Sequence, residues 1–185
     1  MKKLIRLFAA IALFAISPLA AQEGGLTFTL KEKGAPTLHV KEMPNGVVFE
    51  EYKGKVLLLN FFGKHCKWCM KEIPDLVALQ KKYGETFQVV AIHAQDPLTP
   101  GERSRLENRF HFNYPIFESD HNYDFTRYIS QRAGWTGSLP FSVIFDKSGS
   151  AVKIIPGYIP RENLEHIIKV LSAQPSRASQ EGSSR

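Results

Sequence analysis

Seven residues from Val56 to Phe62 are apolar except for Asn60, a run that predicts a central strand covered on both faces. Directly after it, Ile73, Leu76, Val77, Leu79 and Tyr83 recur at helical spacing, and Gly84 closes the helix they predict. Upstream, Leu26 to Leu30 alternates apolar and polar, as a half-buried strand does. Asn45-Gly46 between Leu38–Val40 and Val47–Phe49 predicts a hairpin. Downstream, Phe87 to Ile92 reads as a second buried strand. Glu102 to Phe110 and Tyr123 to Arg132 read as helices, with Tyr114–Phe117 a short extended piece between them. Phe141 to Phe145 is a third buried strand that turns at Asp146-Lys147-Ser148-Gly149 into Ala151–Ile155. Leu164, Ile167, Ile168 and Leu171 give one apolar face to a last helix starting near Pro160. Strands alternating with helices, then a hairpin and a helix, predict an α/β fold: a mixed sheet with helices on both faces and an N-terminal hairpin extension.

The two ends read differently. Lys2, Lys3 and Arg6 precede an apolar run from Leu7 to Ile16, broken by Ser17-Pro18 before the small pair Ala20-Ala21. This is the pattern of a secretory signal over residues 1–21. The run is well short of the ~20 residues that a spanning helix needs, although an uncleaved membrane anchor is the alternative. No cysteine follows the run, which argues against a lipid anchor. Ala173 to Arg185 is polar and aperiodic, and reads as a disordered tail. The folded domain is therefore expected over about residues 26–172.

A chain of 185 residues suits one domain plus tails, and 43% hydrophobic residues suffice for a proper core. The formal charge of +6 would suggest nucleic acid. Three of those charges lie in the expected signal, leaving +3, and no run of five like charges remains. Nucleic-acid binding is disfavoured on that footprint.

Two cysteines in an exported chain ordinarily suggest one structural disulfide. In Cys66-Lys67-Trp68-Cys69, however, the loop is so short that closing it stabilises little. Such a bond is better placed to be made and broken. Cys66 falls where the central strand hands over to the helix. Unpaired N–H groups and the helix dipole there favour a thiolate, lowering the thiol pKa from ~8.5. Cys69, three residues on, shares that face at a Cα separation of ~5–6 Å, so one cysteine can attack a disulfide and the other resolve it. Lys64, His65, Lys67 and Lys71 crowd the junction and would lower the pKa further, or would simply solvate a helix start. His65 is read as a modulator, since a thiolate needs no base. A second CxxC is missing, which excludes a four-cysteine zinc site within the chain. His65, Cys66 and Cys69 remain an alternative soft-metal set, but no metal and no cofactor is expected.

The run Leu57-Leu58-Leu59-Asn60-Phe61-Phe62-Gly63-Lys64-His65-Cys66-Lys67-Trp68-Cys69-Met70-Lys71-Glu72-Ile73-Pro74 resembles the active-site segment of the TlpA/ResA/CcmG thioredoxin-like proteins. Leu139-Pro140-Phe141-Ser142-Val143-Ile144-Phe145-Asp146 with Gly149 resembles their cis-proline strand, and Gly157-Tyr158 with the final helix their closing segment. The resemblance covers roughly residues 34–172 and is weakest over 96–122. It implies a thioredoxin-like fold with Cys66 as the attacking and Cys69 as the resolving thiol. It also implies a cis-proline loop at Leu139-Pro140 that offers backbone to substrate, and Glu72 as a buried acid tuning the thiols. Taken alone, a glutamate at that place in a helix reads as solvated, and Pro140 as a strand-edge proline. Trp68 stands where the family usually has proline, His65 where it has tryptophan, and Ser142 where threonine is common. Trp68 reads either as a substrate platform or as a bulky helix residue covering apolar neighbours.

The resemblance further implies a reductase of protein disulfides, re-reduced by a membrane electron-donor protein, with apocytochrome c as the usual client; the signal predicts the periplasm, and a monomer is expected. Lys67-Trp68 between the cysteines leaves the direction of electron flow open. The alternatives are a DsbA-like oxidase that introduces disulfides and a metal chaperone using His65, Cys66 and Cys69.

Overall fold

The computed structural model describes residues 25–175. The expected signal over 1–21 and all but the first residues of the expected tail lie outside that range. Three antiparallel strands come first, β1 (Thr27–Leu30), β2 (Leu38–Met43) and β3 (Gly46–Phe49), in the order β1-β2-β3. A second, five-stranded sheet follows. Its strands are β4 (Val56–Phe62), β5 (Phe87–His93), β6 (Ile116–Glu118), β7 (Phe141–Phe145) and β8 (Ala151–Pro156). They lie in the order β6-β5-β4-β7-β8, with β4, β5 and β6 mutually parallel and β7 and β8 antiparallel to their neighbours. The helices are α1 (Lys67–Tyr83), α2 (Pro100–Phe110), α3 (Tyr123–Ala133) and α4 (Arg161–Ala173).

Every residue of β4 is buried, because both faces of the sheet are covered. The two-residue period of a strand divides its side chains between two cores. Leu57, Leu59 and Phe61 pack with Phe125 and Ile129 of α3 and with Leu30, Leu38 and Val40 of the hairpin sheet. Val56, Leu58 and Phe62 pack with Ile73, Leu76 and Leu79 of α1 and with Leu164 and Ile168 of α4. Each such side chain contributes about 1.5–3 kcal/mol on burial. The same alternation assigns Asn60, the polar member of the run, to the α1 side.

The hairpin sheet is fastened to the large one through its own turn. Val47 N–H donates to Gly149 O at 3.0 Å, and Ala151 N–H donates to Asn45 O at 2.8 Å. A Cβ on Gly46 would lie 2.2 Å from Gly149 O, so only glycine permits this approach.

The pattern-based elements correspond to the observed ones, with boundary differences that have local causes. α2 starts at Pro100 rather than Glu102, because Thr99 and Glu102 form a reciprocal capping box ahead of it. The extended piece expected over Tyr114–Phe117 pairs only from Ile116, where β6 meets β5. α4 runs through Ala173, one residue past the expected domain end. α1 continues through Pro74, which is exposed and forgoes the bond its N–H would have made. Among the described residues no helix is long and apolar enough to cross a membrane.

Candidate active site

Strand β4 ends at Phe62, the loop Gly63-Lys64-His65 turns the chain, and Cys66 caps α1. Its extended backbone (φ −92°, ψ 104°) puts Sγ in the place of a capping oxygen, where it accepts Cys69 N–H at 3.1 Å. Met70 N–H donates to Cys66 O at 3.0 Å and opens the helix. The first turn of α1 carries no acidic residue, so nothing there opposes a thiolate at its N-terminus. Cys66 and Cys69 are joined as a disulfide with Cα atoms 5.2 Å apart. Cys66 is half-buried, whereas Cys69 is 1% exposed. Of the two cysteines, only Cys66 presents surface to the outside.

One turn deeper on α1, Glu72 is 2% exposed. Asn60 Nδ2 donates to its Oε2 at 3.0 Å and also to Ser142 Oγ at 3.0 Å, and Ile159 N–H donates to its Oε1 at 3.3 Å. Burial pushes the carboxyl up to about 7 and the nearby Asp75 adds to this, while the bonds from Ile159 and Asn60 oppose it. The solvated reading of a lone helical glutamate fails here because β4 and the segment before α4 supply donors to a carboxylate inside the core. Tyr114, deeply buried near that carboxylate, is likewise driven upward by burial.

The peptide Leu139-Pro140 is cis, and Pro140 is buried. Gly157 N–H donates to Pro140 O at 2.8 Å. Phe141 pairs with Phe61, so the register carries Pro140 alongside Phe62, at the end of β4 from which the cysteine loop departs. Leu139, half-buried, packs against both cores.

The cluster of cations is less uniform than spacing suggests. Lys64 Nζ lies 3.0 and 3.1 Å from the two oxygens of Glu102 and 3.4 Å from Pro97 O. The Thr99 amide first, and then this ammonium, hold the Glu102 carboxyl down at about 2. Lys64 is therefore a neutralised partner of Glu102 rather than a free charge for Cys66. Its neighbours in sequence give no hint of this partner 38 positions away. His65 is exposed, and its backbone N–H, not its ring, is engaged, donating to Gln95 Oε1 at 2.9 Å. Lys67 is exposed beside Cys66. Lys71 Nζ sits 5.1 Å from the centroid of Trp68 and 4.5 Å from that of Tyr158. Trp68 is 52% exposed and leans on Tyr158, with centroids 5.6 Å apart. About half of its surface is free and the rest is covered, in part by Tyr158. Among the described residues no three His, Cys, Asp or Glu side chains converge as a metal-ligand set, so His65 does not join the cysteines in one.

Two contributors were invisible to motif reading. His93 and Gln95 accept the amides of Lys64 and His65, at 3.2 and 2.9 Å. A Cβ on Gly63 would lie 2.3 Å from the Gln95 side chain, so glycine there is what admits the clamp. The available signal was a histidine closing the apolar run of β5.

Residues 29–170 match the family model described as Redoxin. The chain is 32% identical over 142 residues to the thiol-disulfide oxidoreductase ResA of Bacillus thuringiensis, covering 71% of this chain and 78% of that protein. It is 30% identical over 186 residues to the ResA of Bacillus cereus, covering 93% and 99%. Among solved structures, the exposed lipoprotein thioredoxin Etrx1 of Streptococcus pneumoniae superposes with a TM-score of 0.59 at 19% identity, over 79% of this chain and all of that one, a likeness of fold. A thiol:disulfide interchange protein of the thioredoxin family from Chlorobium tepidum gives 0.54 at 25% identity, over 69% and 87%. With a disulfide between half-buried Cys66 and buried Cys69, a buried acid and a cis-proline strand all in place, the chain belongs to the Redoxin family, among its ResA/CcmG-like thioredoxin-fold thiol–disulfide oxidoreductases.

Proposed function

We propose that the protein works as a monomeric reductase of protein disulfides in the periplasm, delivered by a signal over residues 1–21 and folded as a domain over 26–172. The observation that carries the reading is the pairing of an accessible Cys66 with a buried Cys69 that has a buried acid, Glu72, one turn below it. In the reduced protein, the Cys66 thiolate attacks one sulfur of a substrate disulfide. A mixed disulfide forms and one substrate thiolate leaves. Cys69 then gives its proton to a base, attacks Cys66 Sγ and releases the second substrate thiolate, leaving the Cys66–Cys69 disulfide. Glu72, poised at about 7, supports that step by taking the Cys69 proton and returning it in the next cycle. Two electrons from a membrane-bound dithiol partner restore the reduced pair. Leu139-Pro140 and Trp68 flank the sulfur as the substrate-binding surface, with Lys67 and His65 tuning Cys66. Clients whose cysteines must stay free, such as the haem-attachment pair of apocytochrome c, suit this chemistry.

The test is the reduction potential, measured by equilibration with glutathione. A value at or below about −270 mV is expected, and one near about −120 mV would sink the reductase reading. One observation favours the oxidase alternative: Lys67 beside Cys66, with no acid in the first turn of α1, stabilises the thiolate and hence the reduced form. That lowers the resistance to reduction and moves the potential upward.

A further inference from the structure

The loop that delivers Cys66 is held by a buried histidine that no part of the thiol chemistry uses. His93, the last residue of β5, is 0% exposed. Lys64 N–H donates to its Nε2 at 3.2 Å. A donated N–H requires Nε2 to be the unprotonated nitrogen, so the ring proton is on Nδ1, which faces Glu118 Oε2 at 2.9 Å. The other Glu118 oxygen is bound by Arg103 Nη2 at 2.9 Å. Arg103 also lies 3.6 Å from Glu32, whose Oε2 accepts Glu118 N–H at 3.2 Å and stands 2.9 Å from His121 Nδ1. The carboxylate that fixes the ring is thus paired with its own cation, while Nε2 of His93 accepts the Lys64 amide.

Gln95, two residues on, does the same for the next amide, that of His65. Between them, Ala94 N–H donates to Phe62 O at 2.9 Å. Cys66 N–H in turn donates to Gly63 O at 3.2 Å. Phe62, Lys64 and His65 are therefore each bonded to the segment 93–95, at and just past the end of β5. The two consecutive amides before Cys66 are taken by the side chains of His93 and of Gln95, two residues further along.

We propose that His93, set by Glu118 in the tautomer whose Nε2 accepts the Lys64 amide, is a positioning residue for the reaction at Cys66. This rests on Cys66 being the attacking thiol, as proposed above. Losing the acceptor frees the loop, misplaces Sγ relative to the N-terminus of α1, and lowers its reactivity. A histidine that merely filled space against Phe62, whose ring lies 5.3 Å from it, would be replaceable by any group of similar shape.

The experiment uses the full chain in reduced form and follows alkylation of Cys66 by iodoacetamide, located by mass spectrometry. The variants are His93→Phe, His93→Gln and His93→Asn. Phenylalanine keeps the volume without the acceptor. Glutamine can place a carbonyl oxygen near the Nε2 position, and asparagine only near Nδ1. Alkylation at neutral pH is expected to fall about tenfold in H93F and H93N, and H93Q to return to within about twofold of wild type. The ring ¹⁵N signals of wild type should show protonated Nδ1 and bare Nε2. Should H93F fail to fold, the comparison of H93Q with H93N decides, since both replace the ring. Equal rates in those two, wild-type reactivity in a folded H93F, or a proton on Nε2 overturns the proposal. The reductase reading fails separately, on a reduction potential near about −120 mV.

Discussion

Asn60 Nδ2 donates to Glu72 Oε2 at 3.0 Å and has its other hydrogen engaged by Ser142 Oγ at the same distance. One amide therefore ties β4, α1 and β7 together at the level of the buried acid. Its bond is among the few influences that hold the Glu72 carboxyl below what burial alone would impose. Replacing Asn60 by leucine should raise the Glu72 midpoint further. The replacement should also cost about 1–3 kcal/mol at alkaline pH, where a buried charge loses its donor. A ¹³C titration of the Glu72 carboxyl measures this directly, and an unmoved midpoint would show that the amide does not tune the acid.

Stability should depend on pH through the same group. The Glu72 carboxyl is raised from 4.5 to about 7 in the folded protein, so folding favours its neutral form. The associated stability is complete below the unfolded value and is lost as pH rises through the folded one. The loss amounts to about 3 kcal/mol by about pH 8. Glu72→Gln should remove this slope. His121, whose ring is raised by its bond to Glu32, loses stability in the same direction, so the comparison must be made between wild type and variant at each pH. Urea denaturation of the oxidised forms tests it, and parallel curves for the two proteins would refute the assignment.

Exposed Trp68 and half-buried Tyr158 form an aromatic pair under Lys71, with Trp68 lying between the two cysteines in the chain. Trp68→Ala should raise KM for a protein disulfide about tenfold with kcat nearly unchanged, the behaviour of a docking contact. Folding stability should change by no more than about 0.5 kcal/mol, because the ring is largely outside the core. Steady-state kinetics with a disulfide-bonded protein substrate will separate the two parameters. A loss confined to kcat would place Trp68 in the chemistry instead.

The lysines around Cys66 should behave unequally. Lys64 is already neutralised by Glu102, so Lys64→Met should leave the pH profile of Cys66 alkylation nearly where it is. Lys67→Met should shift that profile toward higher pH, because Lys67, exposed and adjacent to Cys66 in the chain, has no ion-pair partner among the described residues. Equal shifts in the two variants would mean that Glu102 does not shield Lys64.

Much of this architecture was readable from pattern. The run Val56–Phe62 announces a strand buried on both faces, and the CxxC beyond it announces a helix N-terminus carrying Cys66. These are local signals, carried by neighbouring residues. Burial of Glu72 was not readable from the residues themselves, because its donors come from Asn60 and Ile159, 12 and 87 positions away. Only the family resemblance suggested it. The neutralisation of Lys64 and the clamp by His93 and Gln95 were missed for the same reason. Each depends on the cysteine loop meeting a distant segment, the first turn of α2 or the chain around the end of β5, that sequence spacing does not bring together.

The turn at Asn45-Gly46 is synthesised early, yet the backbone groups it bonds belong to Gly149 and Ala151. Contacts so far apart in sequence can close only after most of the chain has been made, and they slow folding accordingly. Cys66 and Cys69, three residues apart, need no such wait. Oxidation of the pair is therefore chronologically independent of the tertiary fold, and an emerging chain can acquire its disulfide before its first hairpin has anywhere to dock.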